Sequence, residues 1–163
     1  MEIPKEALTP DGYINRQSKI TNLSYDSIPV SETGCGLIAI YNVFKALGKP
    51  QPFDVILKYF NKTTIHSIHL GSNFLQIAGF MRKYNVKIKL VTDKAKFNRG
   101  NVGILWYKHK NGWHYVAYVK SNNNQYTFYN ALDQALPVMD TMDGFLSKRV
   151  VCKLCAVFEV LGA

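Results

Sequence analysis

Three residues spaced along the chain have the types that nucleophilic catalysis by a thiol requires. Cys35, between Gly34 and Gly36, begins an apolar helical stripe; His114 opens a strand after a turn, and Asn130 ends the next strand. A thiol becomes a strong nucleophile as a thiolate, and both a helix N-terminus and a nearby histidine lower its pKa. We therefore predict Cys35 as nucleophile, His114 as base and Asn130 as the residue whose amide oxygen orients the imidazole.

Each of these residues also has an ordinary structural interpretation. A lone cysteine before an apolar helix is usually a small buried hydrophobe, and an asparagine at a strand end is usually a turn residue. The prediction comes from the conjunction and its order along the chain: cysteine on a first helix, histidine on a later strand, amide or acid at the end of the next. Asp133 is the alternative third member.

The periodicity of the sequence places these residues on helices followed by strands. Apolar residues after Cys35 recur at helical spacing as far as Gly48, and two more helices are predicted in PFDVILKYFN and SNFLQIAGFMRKYN. Alternating or apolar runs then predict the strands VKIKLV, VGILWYK, WHYVAYVK, QYTFYN and VVCKLCAVFEVL, with an Asn-Gly hairpin turn before the third. This order indicates an α+β fold, N-terminal helices packed on a bent antiparallel sheet, in a single domain over 1–163.

Residues 1–21 have little periodicity and several turn formers, so we expect an irregular lead-in. On the strand that follows the hairpin turn, His114 and Val116 share one face, and Tyr115 and Ala117 share the other. If this strand pairs with QYTFYN, then His114 and Asn130 lie near the same end of the sheet.

Three stretches, GCGLIAIYNVF, GWHYVAYV and YTFYNALD, resemble the papain-like cysteine peptidase superfamily. The branch that the chain resembles most is the one with the bacterial double-glycine leader peptidases of bacteriocin exporters. In that branch a carboxylate stands about sixteen positions after the histidine, where this chain has Asn130. The resemblance runs from about residue 22 to the end, and it implies a papain-like fold and a Cys-His-Asn triad.

One position departs from the pattern of the family. The glutamine that the family places six residues before the cysteine, to donate to the oxyanion, is Pro29 here, which has no side-chain donor and no N–H. The Cys35 N–H still serves as one donor. The candidates for the second donor, among which the sequence does not choose, are Gln17, Asn22, Ser31 and Thr33.

The expected activity is hydrolysis of a peptide or amide bond in a peptide or protein substrate, and three alternatives stay open. The same residues suit acyl transfer or glutamine deamidation. The missing glutamine suits a weak or inactive peptide-binding module of the same fold. The formal charge of +9 suits a polyanion partner. Against nucleic acid, the lysines are scattered over several segments and no nucleic-acid-binding signature is present.

No cofactor or metal is predicted. His66 and His69 lie in a polar loop without an acidic neighbour, and Cys152 and Cys155, three apart on a predicted strand, point to opposite faces. No stretch reaches the roughly 20 apolar residues of a membrane span. The N-terminus lacks the pattern of a signal peptide, which predicts a cytoplasmic protein or one secreted without a recognisable signal.

Overall fold

The computed structural model describes residues 2–63, 73–122, 124–151 and 155–162. The helices are α1 (Val30–Thr33), α2 (Cys35–Ala46), α3 (Phe53–Thr63), α4 (Phe74–Lys83) and α5 (Met142–Arg149). The strands are β1 (Ser24–Tyr25), β2 (Ile28–Pro29), β3 (Lys87–Val91), β4 (Val102–His109), β5 (Gly112–Lys120), β6 (Gln125–Tyr129), β7 (Val138–Thr141) and β8 (Cys155–Gly162). Short 3-10 helices lie at Lys5–Ala7, Gln17–Lys19 and Lys94–Arg99.

Helix α2 begins at Cys35 because the chain makes a tight junction just before it. Gly34 separates α1 from α2, and a Cβ at this position would stand against the Val30 side chain and 2.6 Å from the Val30 carbonyl oxygen. Only a residue without a side chain fits there, which lets two helical segments meet end to end. The N–H groups of the first turn of α2 therefore point at the region around Cys35.

The main sheet has six antiparallel strands in the order β3-β8-β4-β5-β6-β7. Strands β4 and β5 form the predicted hairpin, with Gly112 at the turn in a positive-φ conformation that favours glycine. The pairing of β5 with β6 that the site prediction required is present. The C-terminal strand β8 lies between β3 and β4, so the end of the chain completes the middle of the sheet.

A layer of elements covers each face of this sheet. On one face α2 packs across β5 and β4, α4 packs beside it on β3, and α3 packs against both helices. Tyr115 and Ala117 of β5 point into this core, whereas Val116 points into a second core on the opposite face, where α5 supplies Phe145. The predicted division of β5 into two faces is confirmed.

Strand β5 extends past the end of its neighbour β6. The last pair of the β5–β6 ladder joins Ala117 to Tyr129, so the stretch from Gly112 to Val116 is unpaired on the β6 side. We call this gap in the sheet the notch. It lies beside His114 and Tyr115, which pair with β4 but not with β6. The chain beyond β6 turns away at Asn130, whose φ is +62°.

The structure differs from the sequence prediction in several elements. The segment with Pro137 and DGFLS, which has no clear periodicity, contains β7 and α5. The last described strand begins at Cys155. The lead-in segment (residues 1–21) contains two short 3-10 helices and buries Ala7, Ile14 and Ile20 completely.

The predictions on His66, His69 and Cys152 fall outside the described residues. In the described ranges, no helix has the length and apolarity that crossing a bilayer needs.

Candidate active site

Cys35 lies at the N-terminus of α2 and faces the notch. Its side chain is partly exposed and packs against the core on the α2 face of the sheet. Three main-chain N–H groups act on the sulfur and favour the thiolate: those of Tyr115, Gly36 and Cys35 itself. Two of these belong to the first turn of the helix and one to the part of β5 that β6 leaves unpaired. The sequence predicted the helix contribution, and the contribution of β5 is new.

Burial nevertheless outweighs these donors, and it raises the pKa of the Cys35 thiol above its ordinary value. In the described part of the chain, no hydrogen bond joins the thiol to the His114 ring. The expected lowering of the thiol pKa is therefore not found in this structure, because desolvation is the largest effect on the sulfur.

His114 is held by a short hydrogen bond at the end of the notch. Its Nε2 lies 2.6 Å from the main-chain carbonyl oxygen of Asn130. Because a carbonyl oxygen only accepts, Nε2 carries the proton, and in the neutral ring Nδ1 keeps its lone pair. This tautomer is the one in which Nδ1 can take a proton from another group.

The surroundings of the imidazole disfavour its charged form. The rings of Tyr107 and His109 approach it edge-on, with centroids 6.0 Å and 5.7 Å from its own. Burial lowers the pKa of His114, and the Asn130 carbonyl only partly opposes that effect.

The predicted role of Asn130 needs a correction in its chemistry. The sequence predicted that the side-chain oxygen would accept from the imidazole, whereas the structure gives that position to the main-chain carbonyl. The side chain bonds Gln17 instead: Oδ1 accepts from the Gln17 N–H at 3.3 Å, and Nδ2 donates to Gln17 Oε1 at 3.0 Å. The physical reason is the left-handed backbone at Asn130, where the chain turns out of β6.

Asp133, the alternative third member, does not bond the imidazole in this structure. Its carboxylate accepts from Ser18, from the hydroxyl at 2.5 Å and from the N–H at 3.3 Å. One residue farther along, the carbonyl of Gln134 accepts from Asn15 Nδ2 at 2.7 Å. Asp133 therefore belongs to the contact between the lead-in segment and the loop after β6.

The candidates for the second oxyanion donor differ in availability. The amide of Gln17 bonds the Ser31 carbonyl and Asn130, and the amide of Asn22 bonds the Glu2 carbonyl. The Thr33 hydroxyl is buried, out of reach of a substrate oxygen. Ser31, which is partly exposed and precedes Cys35 by four residues, stays a candidate.

Sequence reasoning missed Asn15, and it assigned a different role to Gln17. Asn15 is almost fully buried, and its Oδ1 accepts from the Asn130 N–H at 2.7 Å. More than a hundred residues separate the two in sequence. No local signal reveals such a contact, since a polar residue in an irregular segment is normally solvated.

Comparison with solved structures shows a papain-like peptidase fold. The peptidase domain of Streptococcus ComA, a bifunctional ABC transporter involved in a quorum-sensing pathway, is similar with a TM-score of 0.57 and 18% sequence identity. The likeness covers 79% of this chain and 92% of that one. The predicted resemblance and the α+β fold class are thereby confirmed. No family model and no curated protein matches the sequence.

Proposed function

We propose that this protein is a cysteine hydrolase that cleaves a peptide or amide bond, with Cys35 as nucleophile and His114 as base. The observation that carries the proposal is the hydrogen bond from His114 Nε2 to the Asn130 carbonyl. With its proton on Nε2, the neutral ring keeps Nδ1 free to accept a proton, and this supports a role of His114 as base. The papain-like peptidase fold supports the choice of reaction.

The catalytic cycle follows from these groups. As a substrate carbonyl enters the notch, Nδ1 of His114 takes the thiol proton and the Cys35 sulfur attacks the carbonyl carbon. For the developing oxyanion we assign the Cys35 N–H as one donor, and Ser31 is the candidate for an added side-chain donor. The imidazolium then protonates the leaving amine as the C–N bond breaks, and water attacks the thioester with His114 again as base. The C–S bond breaks, the carboxylic acid product leaves, and the imidazolium returns its proton to the sulfur. The Asn130 carbonyl stabilises the imidazolium in both steps.

The proposal is tested by incubating the protein with a diverse peptide library and following new termini by mass spectrometry. The matched control is Cys35→Ala, which removes only the sulfur. We expect cleavage by the parent and none by Cys35→Ala, together with a thioester adduct on Cys35 in acid-quenched samples. If neither protein cleaves, and peptides bind both equally, the chain is a peptide-binding module and the hydrolase proposal is wrong.

A further inference from the structure

We propose that Gln17 is a positioning residue that ties the chain before the nucleophile to the partner of the base. Its side chain bonds both α1 and the turn after β6. On one side Nε2 donates to the Ser31 carbonyl of α1 at 3.2 Å, and on the other Oε1 accepts from Asn130 Nδ2 at 3.0 Å. We call these two bonds the amide bridge. The inference rests on the proposed function only for its consequence in catalysis.

The direction of each bond in the amide bridge is determined by the groups at its ends. The Ser31 carbonyl can only accept, so the nitrogen of the Gln17 amide must face it. The oxygen of Gln17 then faces Asn130, which must present its nitrogen. The remaining oxygen of Asn130 faces the main-chain N–H of Gln17, which can only donate. Every donor therefore meets an acceptor, and no flipped amide satisfies the same set.

The amide bridge acts on His114 through the backbone of Asn130. The carbonyl that bonds Nε2 belongs to a residue in a left-handed conformation just past the end of β6. The β-ladder no longer fixes the chain there, because the last β5–β6 pair is Ala117 with Tyr129. The orientation of the carbonyl depends instead on the bonds to Asn130 from the lead-in segment, the amide bridge among them.

The position of the amide bridge predicts an effect on the pKa of His114. The Asn130 carbonyl raises the pKa of His114 against the effect of burial. If the amide bridge is removed, the carbonyl is held less well and the hydrogen bond to the imidazolium weakens, so the pKa of His114 falls further. A residue that merely stabilised the fold would lower the melting temperature and leave this pKa unchanged.

The test measures the pKa of His114 by NMR titration of the imidazole in the parent and in Gln17→Leu, which keeps the side-chain volume and removes the amide. The matched control is Gln51→Leu, since Gln51 bonds only the carbonyl of Lys49 in a surface loop. We expect a fall of about half a pH unit or more in Gln17→Leu, from a weakened hydrogen bond to the charged form, and none in Gln51→Leu.

A double variant tests whether Gln17 acts on the His114 pKa through Asn130 or by a general effect on the fold. In an Asn130→Gly background, which keeps the carbonyl and suits the positive φ, Gln17→Leu should change the His114 pKa by less than half as much. If Gln17→Leu does not fold, Asn130→Gly alone removes the Asn130 bond of the bridge and should lower the same pKa. An unchanged His114 pKa in a folded Gln17→Leu variant would overturn the inference, even if its activity fell as for a lost oxyanion donor.

The titration needs no substrate, so its result is independent of the hydrolase proposal. If peptide cleavage fails and the pKa still falls in Gln17→Leu, the amide bridge is real and the proposed function is wrong. If cleavage is found and the pKa is unchanged, the hydrolase stands and the positioning role of Gln17 does not.

Discussion

Cys35 and His114 reach the notch by different structural routes. Cys35 is placed by regular structure: a helix that begins at the residue itself, a glycine junction before it, and the N–H of a neighbouring strand. His114 also lies on a strand, but the carbonyl that holds its ring comes from an irregular turn. That turn is tied down by side chains of the lead-in segment, Asn15, Gln17 and Ser18.

Because of this difference, the two halves of the site should be sensitive to different kinds of substitution. The cysteine half depends on backbone geometry, so added volume near its junction should damage it. The histidine half depends on a few side-chain hydrogen bonds across more than a hundred residues of sequence. Polar deletions in the lead-in segment should therefore damage it, although no residue of that segment belongs to the main sheet.

The largest stability effect is expected for Gly34→Ala, on the cysteine half. The new Cβ would collide with the side chain and carbonyl of Val30, and such overpacking costs about 1–3 kcal/mol or more. Urea unfolding measures the loss. The control is Glu32→Ala at an exposed position of the same helix, and equal stability of the two variants would contradict a steric role for Gly34.

A somewhat smaller effect is expected for Asn15→Ala, on the histidine half. The change leaves the N–H of Asn130 and the carbonyl of Gln134 without their partner, and each unsatisfied buried group costs about 1–3 kcal/mol. Because the second group lies nearer the surface, we expect about 2 kcal/mol in total by urea unfolding. Asn22→Ala, which removes one exposed bond to the Glu2 carbonyl of the lead-in segment, should cost less than about 0.5 kcal/mol. Similar losses of stability in Asn15→Ala and Asn22→Ala would contradict the dependence of the histidine half on the bonds of Asn15.

The smallest effect is expected for a pair of variants that distinguishes the backbone conformation of Asn130 from its side-chain hydrogen bonds. Asn130→Gly and Asn130→Ala both lose the bonds to Gln17, but only alanine meets the steric cost of a left-handed conformation. We expect Asn130→Ala to be less stable than Asn130→Gly by about 1 kcal/mol. Thermal unfolding of the pair measures this difference. If alanine were as stable as glycine, the turn after β6 would not need the conformation described here.

The sequence was sufficient for the features that depend on local patterns. Helical spacing after Cys35 and alternation around His114 predicted α2, β5 and the two faces of β5, because each follows from the periodicity of a single element. Residues 138–149 lack such a pattern, and β7 and α5 were missed.

The histidine half was harder to predict for a physical reason. Asn130 was singled out as the partner of the base, but which of its atoms bonds the imidazole depends on a positive φ that an asparagine permits and does not require. The contacts of Asn15 and Gln17 join irregular segments far apart in sequence, and periodicity carries no information about them.

The central claim is that His114 activates Cys35, and the most direct measurement is the rate of Cys35 alkylation by iodoacetamide between about pH 6 and 8, read by peptide mass. Burial raises the pKa of the Cys35 thiol, so unassisted alkylation should be slow, and burial lowers the pKa of His114, which favours its neutral, basic form. We expect the parent to react about tenfold faster or more than His114→Gln, as general-base assistance predicts. Buried Cys155 should stay unreactive in both. Equal rates for Cys35 in the parent and in His114→Gln would contradict the account.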